Sequence, residues 1–343
     1  MNQRMTIGVD LAKNSFAVVI LDSAGHERQR KTLKRQQVLP YLAKREASVV
    51  AMEACAGSHY WARQIEALGH DVVLLPPQHV KGYLRGQKND YNDALAIAEA
   101  CLHHRLRPVV IKTVEQQDEH SFHRIRRSLS GEKLRLSNQL RGLLGEYGLV
   151  MARGDAALRR ALPAYLSDAD NGLTPRIRCY LSRQYDRFMA ILDELAWYDR
   201  TLREQVRQDE ACQRLQEAPG YGPVVSSVVK HWMGDGSQFG CGRDASAALG
   251  VVPRQHSTGG RERLGGITKR GDAQVRALVV HGARAVVSRA EGKSDPLSQW
   301  LQQIKARRGF NKAVIALANK MIRIAWVILA RGERYRYPVR VES

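Results

Sequence analysis

Short apolar runs broken by turn residues fill the first hundred or so positions, and their order limits the fold more than any other feature. Thr6–Asp10 and Phe16–Leu21 read as strands joined by a short turn, and a third strand near Arg28–Leu33 follows the turn residues Ser23-Ala24-Gly25. A helix is expected around Gln37–Lys44. Ser48–Met52 is then a short apolar run ending at Glu53, the pattern of a buried parallel strand. Helix Tyr60–Leu68 leads through Gly69 to a strand at Asp71–Leu75, which Pro76-Pro77 stops because proline cannot continue a ladder.

Three consecutive strands followed by alternating helix and strand is the order of a ribonuclease-H-like domain, although periodicity alone admits other α/β folds. From about Val114 to Gly148 the pattern is helical, charged and rich in Arg and Leu. A polar loop with Asp168, Asp170, Asn171, Gly172 and Pro175 leads to a second long helix, roughly Arg176–Asp209, in which Leu181, Phe188, Leu192, Leu195 and Leu202 recur at near-helical spacing. Two such helices predict an antiparallel hairpin or coiled coil. The remainder reads as mainly helical, with a helix ending at Glu217, others from Val224 and over Asp244–Leu249, a Gly-rich basic segment Pro253–Gly271, and helices over Ala273–Arg289 and Asn311–Ala330. The expected class is α/β plus all-α, with domains over 1–113, 114–210 and 211–343.

The chain has 343 residues and a formal net charge of +20, from 54 Lys and Arg against 34 Asp and Glu. Such a surplus suits a polyanionic partner. It is uneven: from Arg254 to Ser343 there are 19 basic and 6 acidic side chains, the local concentration that a phosphate-contacting surface needs. Cys55, Cys101, Cys179, Cys212 and Cys241 lie far apart with no CxxC pair, which supports neither a disulfide framework nor a zinc site. No signal peptide precedes the first strand, and the apolar stretch Ala313–Leu329 is interrupted by Asn319, Lys320 and Arg323. The expectation is a cytoplasmic, bacterial-type, nucleoid-associated protein without a membrane span.

Four acids carry the chemistry. Asp10 closes the first strand and Glu53 a later one, and the C-terminal ends of neighbouring parallel strands meet at one sheet edge. Asp90 and Asp93 open the helix running to His103; three apart, they share a face near its positive end. Four converging carboxylates repel one another unless cations neutralise them. Hard oxygen ligands in that number suit Mg²⁺ or Mn²⁺, two ions of which can clamp the attacking and leaving oxygens of a phosphodiester. Taken singly, each acid reads equally as a helix or turn cap. IGVDLAKNSF also resembles the first phosphate loop of actin-like kinases, but the later Gly-rich nucleotide loops of that fold are missing, as is any GxxxxGK[ST] loop.

Two further segments point to nucleic acid. Leu215–Val229, with Pro219-Gly220-Tyr221-Gly222-Pro223 between helices, has the form of a helix-hairpin-helix motif, whose turn would offer backbone N–H groups to a phosphate; an ordinary interhelical turn fits as well. Pro253–Gly271 combines His256, Ser257 and Thr258 with Gly259 and Gly260 and with Arg254, Arg261, Arg263, Lys269 and Arg270. Glycines permit close backbone approach and the cations hold phosphates. A hydroxyl held there could attack phosphorus, or the loop could bind phosphate and nothing more.

Together IGVDLAKNSF, VVAMEACAGSHYW, KNDYNDALAIAEA, APGYGPVVSS and PRQHSTGGRERLGGITKRGD resemble, in order and over nearly the whole chain, the DEDD-type insertion-sequence transposases. This is the IS-one-hundred-and-ten family, related to the pilin-gene invertase, and the late segment is most similar to its IS-eleven-eleven subgroup. The resemblance implies a RuvC-like N-terminal domain whose metal-binding carboxylates are Asp10, Glu53, Asp90 and Asp93. It also implies a C-terminal transposase domain whose serine nucleophile becomes covalently linked to DNA, within the motif matched by His256–Gly260. Family members tend to carry Ser immediately before Gly; this chain has Thr258 there and Ser257 one residue earlier, so Ser257 is favoured and Thr258 is its rival. The family further implies donor and target DNA, a structured non-coding guide RNA of the bridge type, and homodimers that pair into tetramers. The rival mechanism is a RuvC-like resolvase or nuclease that hydrolyses DNA through metal-activated water without a covalent intermediate.

Overall fold

The computed structural model describes residues 4–85, 87, 89–103 and 108–337, which divide into two compact units, Met1–Gln117 and Asp118–Ser343. The first unit is built on β1 (Thr6–Asp10), β2 (Ser15–Leu21), β3 (Glu27–Lys34), β4 (Val49–Glu53) and β5 (Asp71–Leu75), with helices α1 (Val38–Ala43), α2 (Ser58–Glu66), α3 (Pro77–Val80) and α4 (Asp90–Cys101). The sheet order is β3-β2-β1-β4-β5. β1 is antiparallel to β2 and parallel to β4, which is parallel to β5. All five strands fall where apolar runs and turn residues predict them, within about two residues at each end.

Strand alternation sorts the core into two faces. Ile7, Val9, Phe16, Val18, Ile20, Val50 and Met52 pack with Trp61, Ala62 and Ile65 of α2 and with Val38 and Leu42 of α1. On the opposite face, Ala17, Val19 and Leu21 pack with Ala94 and Ala98 of α4, and Ala51 packs with Ala96, Ile97 and Ala100. Small residues dominate this second face, so α4 lies close to the sheet.

Among its described residues, the second unit is helical apart from one hairpin. Its elements are α5 (Val114–Gly145, entering from the first unit), α6 (Asp155–Ser167), α7 (Pro175–Gln208), α8 (Glu210–Gln216), α9 (Pro223–Met233), α10 (Gly242–Leu249), β6 (Pro253–Gln255), β7 (Leu264–Ile267), α11 (Ala273–Ser288), α12 (Pro296–Arg308) and α13 (Phe310–Arg331). α5 and α7 run antiparallel: Glu119 meets Gln205, Arg126 meets Asp199, and Glu132 meets Arg187. The expected helical hairpin is present, but the segment between its arms is no simple loop. α6 lies there and contributes Leu158 and Leu162 to the cluster formed by Leu136, Leu140, Leu144, Leu181 and Phe188. α12 is a further helix that periodicity misses. α13 is long and apolar enough to cross a membrane, yet Val314, Leu317, Met321, Ile322 and Ile328 are buried in the largest core cluster, against α9, α10 and α11. All five cysteines are free thiols.

Candidate active site

Alternation along β1 and β4 decides where the acids point. Ile7 and Val9, like Val50 and Met52, face α2, so Asp10 shares the other face with Gly8, and Glu53 shares it with Ala51. Val9 stands opposite Met52 in the parallel ladder, which sets Asp10 beside Glu53 at the C-terminal ends of their strands. α4 covers this face. At Gly8 a Cβ would lie 2.2 Å from the Ala94 carbonyl oxygen and 2.8 Å from the Ala98 Cβ, so glycine is what lets the helix come this near.

The direction of α4 follows from one hydrogen bond. The Tyr91 hydroxyl lies 2.7 Å from Thr32 Oγ1, Thr32 pairs with Ala17, and Ala17 pairs with Asp10. The first turn of α4, carrying Asp90 and Asp93, is therefore level with Asp10. Neither aspartate caps the helix. Asn89 does, its side-chain oxygen accepting the Asn92 N–H at 2.8 Å. The two carboxylates sit where the helix dipole favours negative charge.

Asp10, Glu53 and Asp93 are half-buried and Asp90 is exposed. Among the described residues, Glu53, Asp90 and Asp93 make no side-chain hydrogen bond or ion pair. Cys55 reports on the field at this edge: burial first, and then the charges of Glu53 and Asp10, raise its thiol above the ordinary range. Sequence reasoning passes over Cys55, and its place two residues beyond a strand-end acid is the signal that could have found it. The quartet is gathered but not closed. Among the described residues it forms no group of three with donor atoms all within 4.8 Å of one another, and like charges so placed repel. Four carboxylates, all hard oxygen donors, suit a hard divalent cation.

The basic segment forms a β-hairpin rather than an irregular loop. β6 and β7 pair antiparallel, and the ladder continues through a bridge between Thr258 and Arg261. The Arg261 N–H donates to the Thr258 carbonyl at 3.1 Å. Gly259 and Gly260 have φ of +57° and +76°, the backbone that a two-residue hairpin turn with right-handed twist requires. Residues 253–266 are exposed throughout. Ser257 and Thr258 thus precede the tip on a solvent-facing ribbon, and strand alternation turns them to opposite faces. The Gln255 amide donates to the Ser257 hydroxyl at 3.0 Å.

Among the described residues, hydrogen bonds anchor the hairpin at its base. Thr268 N–H donates to the Val252 carbonyl at 2.9 Å and Lys269 N–H to that of Gly250 at 3.1 Å. Arg276 donates to the carbonyls of Leu249 and Gly271 at 3.1 and 2.9 Å. Arg254, Arg261, Arg263, Lys269 and Arg270 are all exposed. Beside β7 opens a groove of about 1730 Å³ whose walls carry Arg243, Arg307, Arg308, Lys312, Lys320 and Arg323. Sequence reading did not assemble this groove, because its cations come from α10, α12 and α13; the charge excess of the last third was the available signal.

The turn between α8 and α9 divides its two glycines. Gly220, at φ +90°, faces inward: a Cβ there would meet the Met321 Cε at 2.8 Å, and one on Gly282 would meet the Gly220 carbonyl oxygen at 2.3 Å. Tyr221 is buried and donates its hydroxyl hydrogen to the Met321 carbonyl at 2.8 Å. Gly222 is exposed at the N-terminus of α9. Packing therefore accounts for Gly220, and Gly222 is the member open to a phosphate.

A family described as transposase, of the DEDD type of IS110, matches residues 7–148, and the IS116/IS110/IS902 transposase family matches residues 212–299. The chain is 44% identical, over 96% of its length and 98% of the relative's, to a probable family 20 transposase of Pseudomonas aeruginosa. It is 42% identical to the transposase for insertion sequence element IS1111A of Coxiella burnetii, over 96% of this chain and 91% of that one. Identity to the transposase for IS1328 of Yersinia enterocolitica is 37%, over 95% and 97%. With an acidic sheet edge in one unit, a basic hairpin in the other, and kinship along nearly the whole chain, the protein belongs to the IS110-type (IS116/IS110/IS902) family of insertion-sequence transposases, enzymes that act on DNA.

Proposed function

We propose that this transposase is an RNA-guided DNA recombinase that cuts and rejoins strands through a covalent phosphoserine intermediate. The observation that carries the reading is the convergence of Asp10, Glu53, Asp90 and Asp93 on the α4 side of one sheet edge, in a chain that also exposes a hydroxyl-bearing basic hairpin. The first unit is then a RuvC-like, ribonuclease-H-like domain. The DEDD transposase family points to divalent metal use, and the four carboxylates are the residues that would hold Mg²⁺ or Mn²⁺, two ions per site in this reading. Bound there, such ions would neutralise developing charge on a phosphodiester.

The chain's own residues supply the rest. The Ser257 oxygen forms a bond to phosphorus as the bridging P–O bond of the strand breaks; the serine proton leaves, and one DNA end departs as a free hydroxyl. Arg254, Arg261, Arg263, Lys269 and Arg270 hold flanking phosphates, and Gly222 offers the N-terminus of α9 to another. Thr258, on the opposite face of the ribbon, is the rival nucleophile. A structured guide RNA paired with donor and target DNA would leave the protein to read backbone and shape, which suits a charge of +20 with no base-reading module apparent in the sequence. Homodimers that pair into tetramers, bringing the quartet of one protomer to the serine of another, complete the proposal.

Trapping the protein–DNA adduct and mapping it by mass spectrometry tests the covalent step. A phosphopeptide carrying DNA on Ser257, lost in Ser257→Ala, supports it. Undiminished cleavage in both Ser257→Ala and Thr258→Ala, with no adduct in the wild type, would establish the hydrolytic RuvC-like resolvase instead. Sequencing RNA that co-purifies tests guidance: one discrete structured species is expected, and a heterogeneous background would overturn it.

A further inference from the structure

Within the second unit alone, α5 and α9 bring Glu119, His123 and His231 together. One donor atom from each lies within 4.8 Å of the other two. His123 is buried and its Nε2 stands 2.9 Å from the Ser227 hydroxyl. His231 Nδ1 donates to the Ser227 carbonyl at 2.8 Å. A carbonyl only accepts, so His231 carries its proton on Nδ1 and keeps the Nε2 lone pair. A metal-ligating histidine is held in this way, its second nitrogen fixed by a backbone carbonyl.

The cluster also has more acceptors than donors. Glu119 receives the Gln205 side-chain amide at 3.1 Å through one oxygen. Its other oxygen, Oε2, is buried without a partner, and so is Gln205 Oε1. Two orphaned acceptors in one half-buried pocket call for a cation or water. Burial, followed by the neighbouring His231 and cationic residues, lowers His123 to about 4, and burial lowers His231 as well.

We propose that Glu119, His123 and His231 bind a divalent transition-metal ion of the zinc class, which fastens α5 to α9 at the root of the helical hairpin. Two imidazoles and one carboxylate match that class, whereas the all-oxygen quartet matches Mg²⁺ or Mn²⁺. Zn–N and Zn–O bonds of about 2.0 Å place tetrahedral ligands roughly 3.3 Å apart, so contraction from the present spacing closes the site. The fourth ligand is water. The ion has no part in strand transfer; it is structural and separate from the carboxylate quartet.

The test is zinc binding by the full-length chain, stripped with chelator, reloaded with Zn²⁺ and dialysed, with metal counted by mass spectrometry. About one equivalent per chain is expected, together with a rise of several degrees in Tm, and Co²⁺ in its place should give the visible bands of a four-coordinate ion. The equivalent should persist when Asp10, Glu53, Asp90 and Asp93 are all made amides, and should be lost in His231→Gln and in Glu119→Gln. The Co²⁺ spectrum of the wild type keeps the test open even where a variant folds poorly. Negligible zinc on the wild type, or a full equivalent retained by folded His231→Gln, overturns the proposal.

Discussion

The acidic edge and the basic hairpin are held in place by opposite means. Asp10 and Glu53 end strands inside a five-stranded sheet, and α4 is set by contact at Gly8, where no Cβ fits beneath the Ala94 carbonyl. Ser257 and Thr258 ride an exposed ribbon fastened at its base, with a Gly259-Gly260 turn at its tip. The first arrangement is a product of folding: its geometry exists before any ligand arrives, and mutual repulsion of the carboxylates is the remaining obstacle. The second depends on local turn chemistry and leaves both of its faces to solvent. Damage to the first should therefore cost stability and activity together, whereas damage to the second should cost activity alone.

Asp10→Asn is the strongest test, because it removes charge without changing shape. Strand cleavage should fall by on the order of 10² to 10³, the cost of removing one electrostatic contributor at a reacting centre, while DNA binding measured by gel shift stays near the wild-type level. Full cleavage activity would remove Asp10 from the site. Gly8→Ala comes next. Its methyl meets backbone, which cannot rotate away, so overpacking should destabilise the first unit by about 1–3 kcal/mol and displace Asp90 and Asp93. A lowered Tm with unchanged cleavage would show that the quartet does not depend on the seating of α4. Gly260→Val is the counterpart in the hairpin, forcing a β-branched residue to positive φ at a local cost of about 1–2 kcal/mol. Tm should stay close to wild type while strand transfer falls at least tenfold; a large loss of Tm would mean that the hairpin is part of the core after all.

The same contrast governs what the sequence reveals. Strands β1, β2, β4 and β5 are legible because the pleat forces a period of two onto buried positions, and each acid follows directly from a strand end or a helix start. The approach of α4 is not legible: Gly8 looks like any glycine in a strand until its neighbour is seen to be the Ala94 carbonyl. α6 is hidden by Pro163 inside it and by the glycines before it. The hairpin is hidden for another reason. Arg254, Arg261 and Arg263 carry no apolar alternation, since neither face of the ribbon is buried, and only the Gly-Gly pair marks its turn. The His123–His231 pair lies wholly beyond pattern reading, since the two residues are brought together by tertiary packing of α5 against α9 and no local spacing links them.

Arg261→Ala should have the smallest effect and separates the two regions most cleanly. Arg261 is exposed and its backbone closes the hairpin turn, so truncating the side chain leaves the fold untouched. If its guanidinium meets a phosphate, binding should weaken to a similar degree on every DNA sequence, and the slope of log K against log salt should drop by about one. A loss confined to one sequence would instead make Arg261 a base reader. An unchanged slope would place the phosphate path elsewhere, with the groove cations Arg243, Lys312 and Arg323 the next to be tested. Asp10→Asn supplies the control: with one acidic charge removed the salt slope should keep its wild-type value if, as proposed, the quartet meets DNA at the scissile phosphate alone and the hairpin and groove hold the backbone.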